Sequence, residues 1–70
     1  MNEFLAKIAE ILEVEAVSPD LVFRETPDFD SMKGFSLIVL LESDYGKVIT
    51  VEQFIGCRTV ADLAALAEVA

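Results

Sequence analysis

From Asp30 or Ser31 to Tyr45 the chain keeps a helical apolar period for about four turns, and Gly46 follows where a helix can end in the left-handed conformation. At about 100° per residue, Leu37, Ile38, Leu41 and Tyr45 fall within roughly 100° of arc, the width of stripe that a helix buries against its neighbours. Met32, Phe35 and Val39 lie on nearly the opposite side, flanked by Ser36, Ser43 and Glu42. A chain of 70 residues has little else from which to cover such a helix. Area scaling gives about 4,300 Å² of folded surface against about 11,000 Å² unfolded, so one thin core is all it can build. Helix caps and turn chemistry must then supply part of the stability.

Three further segments also read as helices. Phe4, Leu5, Ile8, Ile11 and Leu12 share one side of residues 2–13, with Glu3, Lys7 and Glu10 on the other, and Asn2 is placed to cap that helix. Residues 14–30 lose the period and carry Pro19 and Pro27, which predicts a long loop pinned by Val17, Leu21, Val22 and Phe23. Ser18-Pro19 is suited to a turn or a short helix start. Thr50 with Gln53 forms a capping box for a short helix ending at Gly56, and Thr59 with Asp62 opens a last helix whose face holds Val60, Leu63, Ala64 and Ala67. No stretch shows β alternation. The expected fold is an all-α four-helix bundle with a short third helix and a long loop between helices 1 and 2, in a single domain spanning residues 1–70.

Composition excludes several classes of function. Without histidine there is no imidazole base and no serine–histidine triad, and one cysteine makes neither a disulfide nor a thiolate metal cluster. Stand-alone catalysis is not expected. The 13 acidic side chains outnumber five scattered bases (Lys7, Arg24, Lys33, Lys47, Arg58) for a net charge of −8, which argues against nucleic acid and for a basic protein surface as partner. The longest aliphatic run, Leu37 to Leu41, is too short to cross a bilayer. With no basic stretch after Met1 and a lone thiol, a cytoplasmic monomer is expected. Cys57 reads as a buried, unreactive thiol, and Asp28-Phe29-Asp30-Ser31 fails as a calcium loop because Met32 and Val39 stand at ligand positions.

Two questions stay open on the residues alone. Either the long loop folds over Met32 and Phe35, or this second apolar face of the helix docks on partners, with Glu42 and Asp44 steering it to basic surfaces. Likewise, Asp30-Ser31 is either an ordinary helix cap or a place where the helix N-terminus holds an anion, such as a phosphate ester on Ser31.

The wider pattern bears on both. Phe29-Asp30-Ser31-Met32 leads into the apolar helix Phe35 to Leu41, then Glu42-Ser43-Asp44-Tyr45-Gly46, Val48-Ile49-Thr50 and Thr59-Val60-Ala61-Asp62-Leu63. Over residues 3–67 this pattern resembles the acyl carrier proteins. The resemblance implies a 4'-phosphopantetheine arm on Ser31, installed from coenzyme A by a separate phosphopantetheinyl transferase, with acyl groups held as a thioester on its terminal thiol. Such a carrier does no chemistry itself and presents its cargo to acyl ligases, synthases or transferases with basic docking surfaces. Matched residue by residue, Ser31 is the attachment serine, Asp30 the acid before it, Met32, Phe35 and Val39 the apolar partner contacts, and Glu42 an acidic one.

The pattern also has departures. Asp28 stands where the family usually has glycine, and Lys33 and Ser36 stand where fatty-acid carriers usually have acidic or polar residues. The changes at Lys33 and Ser36 weaken the acidic face near the arm and point to a specialised carrier serving a dedicated ligase or small biosynthetic cluster. The alternative from another class is a small acidic helical adaptor that binds a partner through the Met32/Phe35/Val39 face with Ser31 unmodified. Gly34, in the first turn of the second helix, lowers helix propensity by about 1 kcal/mol relative to alanine.

Overall fold

The computed structural model describes residues 1–69, which form α1 (Asn2–Leu12), a 3₁₀ turn (Phe23–Glu25), α2 (Ser31–Tyr45), α3 (Val51–Ile55) and α4 (Val60–Ala67). Among these residues there is no strand, only an isolated antiparallel bridge between Val22 and Thr59. The fold is thus all-helical with a short third helix, and its accessible surface is 4350 Å². α1 packs against α2 and α4 around a core of Phe4, Ile8, Leu12, Phe23, Leu37, Leu41, Val60 and Leu63.

The caps form largely where residue spacing places them. Asp30 precedes α2, its carboxylate accepting from the Lys33 N–H at 2.9 Å. Thr50 with Gln53 and Thr59 with Asp62 both close as reciprocal capping boxes. Gly46 ends α2 in the left-handed region at φ 67°, with Lys47 N–H bonded to Leu41 O at 2.9 Å. α1 departs from expectation at both ends. Leu5 N–H bonds the Met1 carbonyl at 3.0 Å, so Met1 occupies the cap position and Asn2 is already helical without capping anything. Glu13 leaves the helix in the left-handed region at φ 59°, a stop that no glycine announces.

The segment between α1 and α2 is pinned by its own backbone and by Phe23, which is fully buried. Val60 N–H donates to Leu21 O at 3.0 Å and Ala61 N–H to Pro19 O at 2.9 Å. The loop thus receives two of the N–H groups that the first turn of α4 cannot bond internally. Ser18-Pro19 makes a turn, Leu21 N–H bonding Ser18 O at 3.1 Å, and starts no helix.

The buried arc of α2 is rotated from the expected one. It runs from Leu40 through Leu37 and Leu41 to Gly34, while Ile38 and Tyr45 are only half-buried. α1 packs on α2 and the Phe54 ring of α3 lies against Gly34, and the burial is centred on Leu37, roughly 50° away from the midpoint of the predicted stripe.

Candidate functional site

Ser31 is the first helical residue of α2 and is exposed. The first N–H groups of a helix lack intrahelical acceptors and sit at the positive end of its dipole. Asp30 satisfies that of Lys33, and the N–H groups ahead of it belong to Ser31 and Met32 at the same end of the helix. An anion linked to the serine hydroxyl is stabilised at such a place. Beside it opens a cleft of about 310 Å³ lined by Phe29, Gly34, Phe35, Ile38, Val51 and Phe54. A larger groove, about 480 Å³, runs along the outside of α1 to Val17 and lies apart from Ser31.

Gly34 lies against the cleft's aromatic wall. A Cβ there would stand 3.3 Å from Cε2 of Phe54, tighter than an ordinary contact, and 3.6 Å from Cζ of Phe29, an ordinary one, so the missing side chain lets the Phe54 ring sit close to the start of α2. The Phe54 ring lies in turn against Phe23 in a tilted contact, with centroids 5.5 Å apart. Arg24, half-buried, lies against the same rings and bonds main-chain carbonyls at the end of α3. Nothing local in the sequence signals that contact, because the partners lie 30 and 33 residues away.

The outward face of α2 is bare. Met32 is 77% exposed, Phe35 66% and Val39 41%, so the long loop does not fold over them. Glu42 is exposed on the same side of α2. Val51 and Ile55 of α3, 64% and 66% exposed, add to the apolar surface, and the capping pattern that marks α3 in the sequence says nothing of this exposure. Lys33 points elsewhere: its Nζ donates to the last carbonyl of α1, Leu12 O, at 3.4 Å. A cation at that position therefore serves the α1 C-terminus.

Cys57 is buried, its Sγ 3.4 Å from Gln53 O. Burial, with a smaller contribution from Asp62, pushes its thiol pKa up despite the opposing Arg24 charge. Burial and a raised pKa both work against thiolate chemistry at this position. Among the described residues no group of three or more acidic, cysteine or histidine side chains is placed to hold a metal ion, and no helix is long and apolar enough to cross a membrane.

A helix-start serine beside an apolar cleft, on a small acidic bundle, is a place to carry something. Residues 2–67 match the family described as the phosphopantetheine attachment site. The chain belongs to the acyl carrier family. The meromycolate extension acyl carrier proteins of Mycobacterium bovis and Mycobacterium tuberculosis are 35% identical to it, over 91% of this chain and 61% of their own length. The chain thus spans less than two thirds of those relatives. The protein of the same name from Mycolicibacterium aurum is also 35% identical, over 91% of this chain and 72% of its own. No solved structure gives a significant match. The matched region is the one to which 4'-phosphopantetheine is covalently attached in this family.

The residues present fit that group. The exposed hydroxyl at the dipole's positive end suits a phosphodiester, and the cleft walls suit an apolar extension of it.

Proposed function

We propose that Ser31 carries the 4'-phosphopantetheine and that the carrier presents acyl groups to ligases, synthases or transferases of a specialised lipid or polyketide pathway. The carrying observation is the exposed Ser31 at the first position of α2, at the mouth of an apolar cleft. When bound, the arm supplies a terminal thiol for the acyl group. The protein's own residues do the rest. Asp30 fixes the start of α2 and so the direction in which the hydroxyl leaves the surface. The leading amides of α2 stabilise the linking phosphate.

Partners are read to approach over Met32, Phe35 and Val39, with Asp30 and Glu42 supplying negative charge that a basic docking surface complements. The names of the mycobacterial relatives and the apolar cleft favour a fatty-acyl cargo over an aminoacyl one. Incubation with coenzyme A, magnesium and a broad-specificity phosphopantetheinyl transferase should raise the intact mass by one phosphopantetheine, and Ser31→Ala should abolish the gain. If several such transferases leave the wild type unmodified while loading a control carrier, Ser31 is not the attachment residue and a docking role without modification replaces this reading.

A further inference from the structure

α3 is five residues long and Phe54 is its one buried residue. A helix that short has no stability of its own, so its place is set by what grips it. Arg24 grips it twice. Nη2 donates to Phe54 O at 2.7 Å and Nη1 donates to Cys57 O, which ties the guanidinium to carbonyls that close α3. The same guanidinium lies 4.8 Å from the Phe23 ring centroid and 4.9 Å from that of Phe54. Charge-assisted bonds to helix C-terminal carbonyls and contact with two aromatic faces reinforce one another when partly shielded from water. On its other side the Phe54 ring lies over Gly34 and walls the cleft beside Ser31.

We propose that Arg24 is a positioning residue that clamps α3 through Phe54 and thereby sets the width of the cleft next to Ser31. Its importance for cargo rests on Ser31 being the attachment residue, whereas the clamp itself does not. A guanidinium is needed because its planar fork reaches two carbonyls at once while lying on the rings, and a lysine ammonium reaches one. Arg24→Met keeps much of the apolar stem and removes the fork, and Arg24→Lys restores a single donor.

The test uses the full chain with Ser31 unmodified, followed by amide hydrogen exchange. The amides to watch are those of Phe54, Gly56 and Cys57, which bond Thr50 O, Glu52 O and Phe54 O. In Arg24→Met they should exchange about tenfold faster or more, while amides inside α1 change by no more than about twofold, and Arg24→Lys should lie between. The neutral apolar dye N-phenyl-1-naphthylamine should bind the methionine variant more tightly as the cleft opens, with the lysine variant reverting part of the way. Unchanged exchange in α3, an equal rise in α1 and α3, or a lysine variant no better than methionine would overturn the clamp. Should Arg24→Met fail to fold, Arg24→Lys carries the same comparison, with α3 amides accelerated and α1 amides not. Phosphopantetheine loading of the wild type is scored separately: its failure ends the Ser31 reading and leaves the exchange result standing.

Discussion

Asp28 holds φ at 60°, in the left-handed region that glycine adopts freely and aspartate tolerates better than most residues. This is where carriers resembling this one usually have glycine, and the backbone shows why: the turn into α2 needs that conformation whichever residue supplies it. Asp28→Val puts a β-branched residue there and should destabilise by about 1–2 kcal/mol, whereas Asp28→Gly should leave stability nearly unchanged, both read by thermal or urea melts. A second single-residue effect is acid-sensitive. The N–H groups of Thr59 and Arg58 bond the Asp62 carboxylate and hold its pKa below the usual carboxylate range. A pKa lowered on folding adds stability that is complete above the unfolded value of about 4 and is lost as pH falls through the folded one. Wild type and Asp62→Asn should therefore differ in melting temperature at pH 7 and converge toward pH 2. Caps of this kind were legible because their signal spans three residues, as in Asp30 to Lys33 or Thr50 to Gln53. Arg24 and Lys33 were not, since each acts on a carbonyl more than twenty residues away that only the folded chain brings near.

Single helices show where period alone misleads. The two-faced character of α2 was readable, as was the existence of all four helices, yet the stripe was centred toward Ile38 and Tyr45. In the folded chain Leu40 is buried and Ile38 lines the cleft, a rotation that the packing of neighbouring elements sets and the period of α2 alone does not. Leu37 and Leu41 belong to the buried arc on either account. Leu41 is 1% exposed, and Leu41→Ala should cost about 2–5 kcal/mol, enough to unfold much of so small a protein in a thermal melt. Phe35→Ser on the outward face should shift stability by no more than about 0.5 kcal/mol while slowing loading by a cognate enzyme, because an aromatic in a desolvated contact is often a main source of binding energy. A fold that collapses on Phe35→Ser would return that face to the core. The ends of α1 were misjudged for a simpler reason: Glu13 takes a left-handed stop that sequence reading expects of glycine.

At the scale of the molecule the charges divide unevenly. Lys7 is held by Asp44 at 3.0 Å and Glu3 at 3.5 Å, Lys47 by Glu68 at 2.9 Å, and Arg24 and Lys33 by main-chain carbonyls. Four of the five bases thus face other parts of the same chain, and a body measuring 26 × 24 × 19 Å shows the outside a net charge of −8. The bare apolar surface on α2 and α3 sits within that negative field. Two copies meeting by this surface must bring like charges together, whereas a basic partner gains from both the apolar contact and the charge. At 0.01 M salt the screening length is about 30 Å, longer than the molecule, and at 1 M it is about 3 Å. The osmotic second virial coefficient, measured by static light scattering, should therefore be strongly positive in dilute salt and fall toward or below zero as salt is added. Crowding the carrier to millimolar concentration in dilute buffer should leave it monodisperse, its colloidal stability coming from its own net negative charge.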